Sequence, residues 1–269
     1  MKSYIQIKNK ISKFDELINV SGDKSISIRC VLLASQAIGK SKIYNLLESE
    51  DVISTLKSIK KLGINYKKIK NYYEIRGFGL KGFNTKNKVI LNAGNSGTFA
   101  RLVLGLLVDS ENEITITGDK SLSRRDFSRV TNPLKMFGAT LKSKEDQLPV
   151  KIRGSQFLRP IEYFEKLGSA QCKSSVILAA LKTPGLTKIK AKKSRNHTEL
   201  LLKSLKLPIQ TSSSKYYDYI KIKGQNNFGS FNYSIPGDIS SCSFFLVLTL
   251  LSSNSKLTIK SININKSRI

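Results

Sequence analysis

Metal ligands and reactive thiols are nearly missing from these 269 residues: three cysteines and one histidine, His197. The cysteines, Cys30, Cys172 and Cys242, stand far apart, each inside an apolar helix-like run. No metal-ligand spacing exists, so no metal site is expected, and the thiols read as buried and reduced. Long apolar runs are missing too. The longest, around Phe244-Phe245-Leu246-Val247-Leu248, is broken by Thr249 and is too short to span a bilayer. Met1 to Lys8 alternates like a strand and lacks the apolar core of a signal peptide, so a cytoplasmic address is expected.

Acidic residues are scarce: 19 against 46 lysines and arginines, a net charge of +27. Such an excess attracts polyanions. It is mostly lysine, spread along the whole chain, with no aromatic interleaving and no nucleic-acid motif. Nucleic acid is therefore not expected as the main partner, nor is a membrane. A field that draws in small phosphorylated substrates fits the same charge.

What the chain does have is a repeated device. Four polar clusters built on glycine and serine run straight into apolar, helix-like segments. They are Ser21-Gly22-Asp23-Lys24-Ser25, Asn92 to Thr98, Gly168-Ser169-Ala170-Gln171 and Pro236-Gly237-Asp238-Ile239-Ser240-Ser241. Gly22, Gly94, Gly168 and Gly237 are separated by 72, 74 and 69 residues. A helix start carries unpaired N–H groups and the positive end of the helix dipole, so each cluster is suited to an anion. The near-constant period implies one supersecondary unit used repeatedly around a shared, multiply charged ligand.

Periodicity fills in the units. Helices are expected over 25–38, 51–62, 98–108, 130–137, 171–181, 198–205 and 241–251, with strands at 41–46, 64–66, 72–76, 113–117, 140–141, 150–152, 187–191, around 209, 219–222 and 256–259. With the Met1 to Lys8 strand placed first, the recurring order is βαβαββ, a mixed α/β fold. Asp51 reads as a helix cap and His197 as structural.

Six ordered motifs resemble the EPSP synthase (3-phosphoshikimate 1-carboxyvinyltransferase) family. They are Ser21 to Arg29, Asn92 to Arg101, Gly118 to Arg125, Gly168 to Ser174, Ser194 to Glu199 and Pro236 to Ser241. The resemblance implies the enolpyruvyl transferase fold, an inside-out α/β barrel of βαβαββ units. One complete domain would cover 21–234, and a fragment of the second would comprise 1–20 and 235–269. It implies transfer of the enolpyruvyl group of phosphoenolpyruvate to the 5-hydroxyl of shikimate 3-phosphate, with no cofactor. By the same resemblance Lys24, Ser25, Arg29, Ser169, Ala170, Gln171 and Ser194 would hold shikimate 3-phosphate. Lys24, Gly97, Arg125 and Gln171 would face phosphoenolpyruvate.

Three residues depart from the family's pattern: Ile28, Asp126 and Asn196, where histidine, proline and aspartate are usual. Asp126 places a carboxylate beside Arg125 and is expected to loosen its hold on an anion. The family's proton-transfer acid and lysine, and two further arginines, have no counterpart here. The chain is thus expected to bind without turning over, and a separate chain supplying the remainder is a partner the resemblance allows. Two other readings stand beside it: the related transferase acting on UDP-N-acetylglucosamine, and a non-catalytic remnant that binds anions or nucleic acid. The first expects a lysine–asparagine pair where Lys24-Ser25 stand.

Overall fold

The computed structural model describes residues 13–85 and 88–268; the strand expected over Met1 to Lys8 lies outside them. The chain begins with β1 (Asp15–Asn19), α1 (Lys24–Gln36), β2 (Ile38–Tyr44), α2 (Glu50–Lys61), β3 (Asn65–Ile69) and β4 (Tyr72–Phe78). A second unit holds β5 (Val89–Asn92), α3 (Gly97–Leu106), β6 (Ile114–Thr117), a single turn α4 (Lys120–Ser123), α5 (Ser128–Met136), β7 (Thr140–Lys144) and β8 (Gln147–Arg153). A third holds β9 (Glu162–Glu165), α6 (Ala170–Lys182), β10 (Leu186–Lys192), α7 (His197–Ser204), β11 (Ile209–Ser213) and β12 (Tyr217–Lys223). Then come β13 (Asn232–Ser234), α8 (Ile239–Leu251) and β14 (Lys256–Lys260).

Each unit owns a four-stranded sheet on one plan: β13-β2-β4-β3, β5-β6-β8-β7 and β9-β10-β12-β11. The first strand of each is parallel to its neighbour and the rest are antiparallel. Among the described residues the strand that heads the first sheet is β13, pairing Asn232 with Lys42 and Ser234 with Tyr44. The ladder continues where Ile235 N–H donates to the Tyr44 carbonyl at 3.0 Å. β1 instead lies parallel to β14 in a separate two-stranded sheet, Asp15 opposite Lys256.

The helices lie inside and the sheets outside. From Ile26 to Gln36 every residue of α1 is buried, as is Cys172 to Lys182 of α6. Such all-round burial explains why these helices lack a strong polar stripe. β10 and β12 instead alternate, with Ile189, Ala191, Ile220 and Ile222 inward and lysines outward. α3 and α6 cross closely because Gly105 carries no side chain. A Cβ there would stand 2.2 Å from the Ser175 carbonyl oxygen.

The helix starts form as the clusters imply. Asp23, Ser96 and Ser169 cap α1, α3 and α6 by accepting from Ile26, Phe99 and Cys172 N–H. Asp238 caps α8, two residues earlier than the periodicity places it. α1 stops at Gln36, so β2 already runs at Ile38, ahead of the expected strand start. Of the 13 residues of α8 only Cys242 is buried, while Phe244 is 78% and Leu250 85% exposed. No described helix is long and apolar enough to cross a membrane. The three cysteines are free and buried, as expected.

Candidate functional site

Two guanidinium groups gather at the start of α3. Gly97 is its first residue, and a Cβ placed there would lie 2.7 Å from Arg101 Nη1 and 3.2 Å from Arg125 Nη1. Only a missing side chain leaves room for two guanidinium groups at that spot. Arg101 reaches back one turn to donate to the Gly97 carbonyl at 3.3 Å and to Gln171 Oε1 at 3.0 Å. Its plane lies over the Phe127 ring, 4.7 Å from the centroid. Burial, and then repulsion from Arg125 and Arg129, hold its pKa below the ordinary value. An anion between the arginines would relieve that repulsion.

Arg125 is steered by a chain of polar contacts. Asp119 caps α4 by accepting from Leu122 N–H at 2.7 Å and takes a second bond from Asn95 Nδ2 at 2.5 Å. Asn95 Oδ1 then accepts from Arg125 Nη2 at 3.4 Å. Arg124 ends α4 as its cap, so Arg125 is the member of the pair beside Gly97. The Asp126 carboxylate accepts from Ser128 N–H at 2.6 Å at the start of α5 and forms no ion pair with Arg125 among the described residues, while its carbonyl accepts from Arg101 at 3.3 Å. Hydrogen bonding from the Ser128 side chain, and then from its backbone, holds the Asp126 pKa below the usual carboxylate range.

The first turns of α6 join this cluster to a second one. Gln171 gives its amide to Thr98 Oγ1 at 3.0 Å while accepting from Arg101, which spans α6 and α3. One turn later, Ser174 Oγ accepts from Arg29 Nη2 at 3.0 Å. Arg29 is buried, donating also to Thr198 Oγ1 at 2.7 Å and to the Ser25 carbonyl at 2.9 Å. Desolvation lowers its pKa to about 10, with Glu199 and Asp23 pulling the other way. Arg29 is thus a strut among α1, α6 and α7. Ser25, half-buried beside it, shares the turn.

Lys24 extends from the start of α1 to Asp51 Oδ2 at 3.0 Å. Asp51 is therefore not the cap of α2, a place taken by Ser49; it is the counter-ion of Lys24. Ser169 accepts from Cys172 N–H, yet its hydroxyl proton stays available to a ligand. Its own N–H is held by Glu165 Oε2 at 2.9 Å. Ala170 and Gln171 open the helix, where N–H groups lack intrahelical acceptors. Ser194 Oγ is buried without a hydrogen-bond partner among the described residues. Asn196 accepts from Asn265 Nδ2 at 2.9 Å and Ser267 Oγ at 3.0 Å, tying the third unit to the last segment.

Gly97 and Arg125 therefore lie side by side, Gln171 is joined to them through Arg101, and Arg29 is joined through α6. Lys24 and Ser25 lie at the adjoining start of α1, and Ser194 stands apart on the approach to α7. The residue reading assigned no role to Arg101, Thr98, Ser174 and Thr198. Arg101, one turn after Gly97, was the legible one, because a cation four residues past a capped glycine shares its face. Arg268 lies outside the six motifs; it reaches the carboxylate of Asp23 and, at 3.1 Å, that of Asp238, joining the caps of α1 and α8.

His197 is buried, 3.5 Å through Nε2 from Asn263 Nδ2, with Arg29, Arg268 and Arg195 nearby against Asp23. Burial pushes its pKa from 6.5 down to about 4, and the arginines add to the effect. The unfolded chain therefore takes up this proton at a higher pH than the folded one. Stability is full above about 6.5 and is lost as pH falls through that value towards about 4. The slope from this group reaches about 1.4 kcal/mol per pH unit inside that window. Urea unfolding at pH 7.5 and pH 5 checks it. His197→Gln is expected to flatten the difference, and an unchanged slope would sink the assignment.

The pattern that defines the EPSP synthase (3-phosphoshikimate 1-carboxyvinyltransferase) family matches residues 8–269. The chain belongs to the EPSP synthase family. It is 38% identical over 267 residues to a 3-phosphoshikimate 1-carboxyvinyltransferase of Streptococcus mutans, covering 98% of this chain and 61% of that protein. A Thermoanaerobacter enzyme of the same name is 40% identical over 256 residues, covering 94% and 58%. An EPSP synthase structure from Acinetobacter baumannii superposes with a TM-score of 0.85 at 31% identity, over 94% of this chain and 57% of that one. The chain thus spans between 57% and 61% of the length of the EPSP synthases it matches here. The α/β architecture expected from the six motifs is the family's own.

Proposed function

We propose that this chain carries the phosphoshikimate-binding part of an enolpyruvyl transferase of the shikimate pathway. The reaction moves the enolpyruvyl group of phosphoenolpyruvate to the 5-hydroxyl of shikimate 3-phosphate and releases phosphate. The observation that carries this reading is α6, whose Gln171 grips the arginine-flanked start of α3 while Ser174 grips Arg29 from α1. The starts of α1, α3 and α6 are thereby linked by hydrogen bonds, which suits two anionic substrates bound next to each other. Lys24, Ser25, Arg29, Ser169, Ala170, Gln171 and Ser194 serve the sugar phosphate. Gly97 and Arg125, with Lys24 and Gln171 shared, serve phosphoenolpyruvate, and Arg101 sets their spacing.

Residues 21–234 form the complete domain in this reading, and 1–20 with 235–269 belong to the second. The exposed apolar surface of α8 supports that division, because it suits further polypeptide packed against it, in the same or a separate chain. Proton transfer needs positioned acid and base groups, and the resemblance puts these in the share of the relatives' length that this chain does not match. The chain by itself therefore binds shikimate 3-phosphate weakly and does not turn over. A cytoplasmic address belongs to the same proposal.

Titration calorimetry on the chain with shikimate 3-phosphate tests it. Heat of binding is expected, and Lys24→Ala should weaken affinity about 10- to 100-fold, a hydrogen bond to a charged group being worth about 1.5–3 kcal/mol. No heat with shikimate 3-phosphate, or heat with UDP-N-acetylglucosamine instead, overturns the substrate. Full steady-state activity of the chain alone overturns the division of labour.

A further inference from the structure

Along the sequence, lysines and aromatic residues do not interleave; strand pairing makes them do so. The outward residues of the β9-β10-β12-β11 sheet form cross-strand rows. Lys190 stands opposite Phe164 on one side and Tyr219 on the other, and Lys188 stands opposite Glu162 and Lys221. Lys192 faces Tyr217. The Lys190 ammonium lies 5.0 Å from the Phe164 ring centroid and 4.5 Å from that of Tyr217. Phe164 and Tyr219 remain 39% and 41% exposed, far from the buried state aromatic side chains usually reach. Between them the sheet surface dips into an open hollow of about 300 Å³ whose rim includes Lys188, Lys190 and Lys221. Glu162 is the sole carboxylate among the outward residues of these four strands, and its exposed pair with Lys188 at 2.8 Å is weak enough for a phosphate to displace.

We propose that this outward face binds single-stranded nucleic acid, with phosphates tracking Lys188, Lys190 and Lys221 and bases stacking on Phe164 and Tyr219. Rings and ammonium groups alternating across a sheet match a strand whose flat bases alternate with charges. A duplex hides its base faces and could use only the lysines. A lipid surface is flat and would meet a hollow rather than a protruding anchor. The corresponding face of the second unit supplies an internal contrast. It presents Lys142, Lys151 and Arg153 with Thr115 and Thr140 in the same kind of rows, and no aromatic residue. The face lies on the outer layer, opposite the buried helices, so it goes beyond the proposed catalytic role and does not depend on it.

Fluorescence anisotropy of labelled oligouridylate and oligothymidylate of about 12 nucleotides, titrated with the whole chain, tests this. Measured across roughly 50 to 200 mM salt, affinity should fall linearly on a double-logarithmic plot, by about 0.7 in slope per phosphate neutralised. The triple variant Lys188→Gln/Lys190→Gln/Lys221→Gln should flatten that slope by about 2. Phe164→Leu and Tyr219→Leu should each weaken binding about 5- to 100-fold at constant slope, with unfolding midpoints confirming that they fold. Lys142→Gln/Lys151→Gln/Arg153→Gln removes equal charge and should leave slope and affinity nearly unchanged. Equal flattening by the two triples, or no effect of the rings, would mean a diffuse lysine coat and overturn the proposal. Dissociation constants above about 10⁻⁴ M at physiological salt, equal affinity for duplex, or preference for phosphatidylserine vesicles would overturn it as well.

Discussion

Lys173→Met is expected to remove about 3–5 kcal/mol of stability, the cost of leaving one member of a buried ion pair alone. Lys173 is fully buried in α6, with its ammonium 2.7 Å from Glu199 Oε1 in the first turn of α7 and 3.6 Å from Asp218 Oδ2. Methionine fills the volume but leaves Glu199, itself buried, facing apolar atoms. Arg29 is the next cation that Glu199 attracts, so the orphaned carboxylate should also pull on the strut that joins α1 to α6. Urea unfolding gives the loss directly. The double variant Lys173→Met/Glu199→Gln should recover most of it, because replacing a whole buried pair costs far less than breaking it. A single variant that loses less than about 1 kcal/mol would show the pair to be dispensable.

Gly105→Ala is the second large effect, and its sign rests on a comparison of magnitudes. Alanine in a helix gains about 1 kcal/mol over glycine. Here the new Cβ would stand 2.2 Å from a carbonyl oxygen and 3.0 Å from its carbon, both backbone atoms of Ser175 that cannot swing aside. Overpacking of this kind costs about 1–3 kcal/mol and more where backbone must move, so the steric term wins. Moving α3 off α6 also stretches the 3.0 Å contacts from Gln171 to Thr98 and Arg101. The variant should therefore lose stability and bind shikimate 3-phosphate about tenfold more weakly, charged hydrogen bonds being steep in distance. Gly229→Ala, where a Cβ meets nothing within 4 Å, is the neutral control. Unchanged stability in Gly105→Ala would mean that the two helices are not tightly packed there.

Much of this was readable in the residues, and the reasons are local. Glycine and serine before an apolar run mark a helix start through chemistry confined to a few residues, so the starts of α1, α3 and α6 emerge to within one residue. What escaped depends on chain segments far apart. β13 meets β2 across 190 residues, so no local pattern tells which strand heads the first sheet. Asp51 looks like a cap because acidic residues favour first turns, and only the fold reveals Lys24 beside it. Asp126 looks harmful to Arg125 in sequence, yet the turn into α5 directs its carboxylate to a backbone N–H. The rows around Lys190 are likewise invisible until strands pair, since Phe164 and Tyr219 lie on either side of it in space but dozens of residues away in the chain.

The position of β13 bears on how the molecule is made. A ribosome delivers β2, β3 and β4 early, but the strand that completes their sheet emerges only with residues 232–234. The second and third units each have all their strands in one continuous stretch and can close while translation proceeds. Of the three four-stranded sheets, the first to be started is thus the last to be sealed, and until then the open edge of β2 offers unpaired backbone to any neighbouring strand.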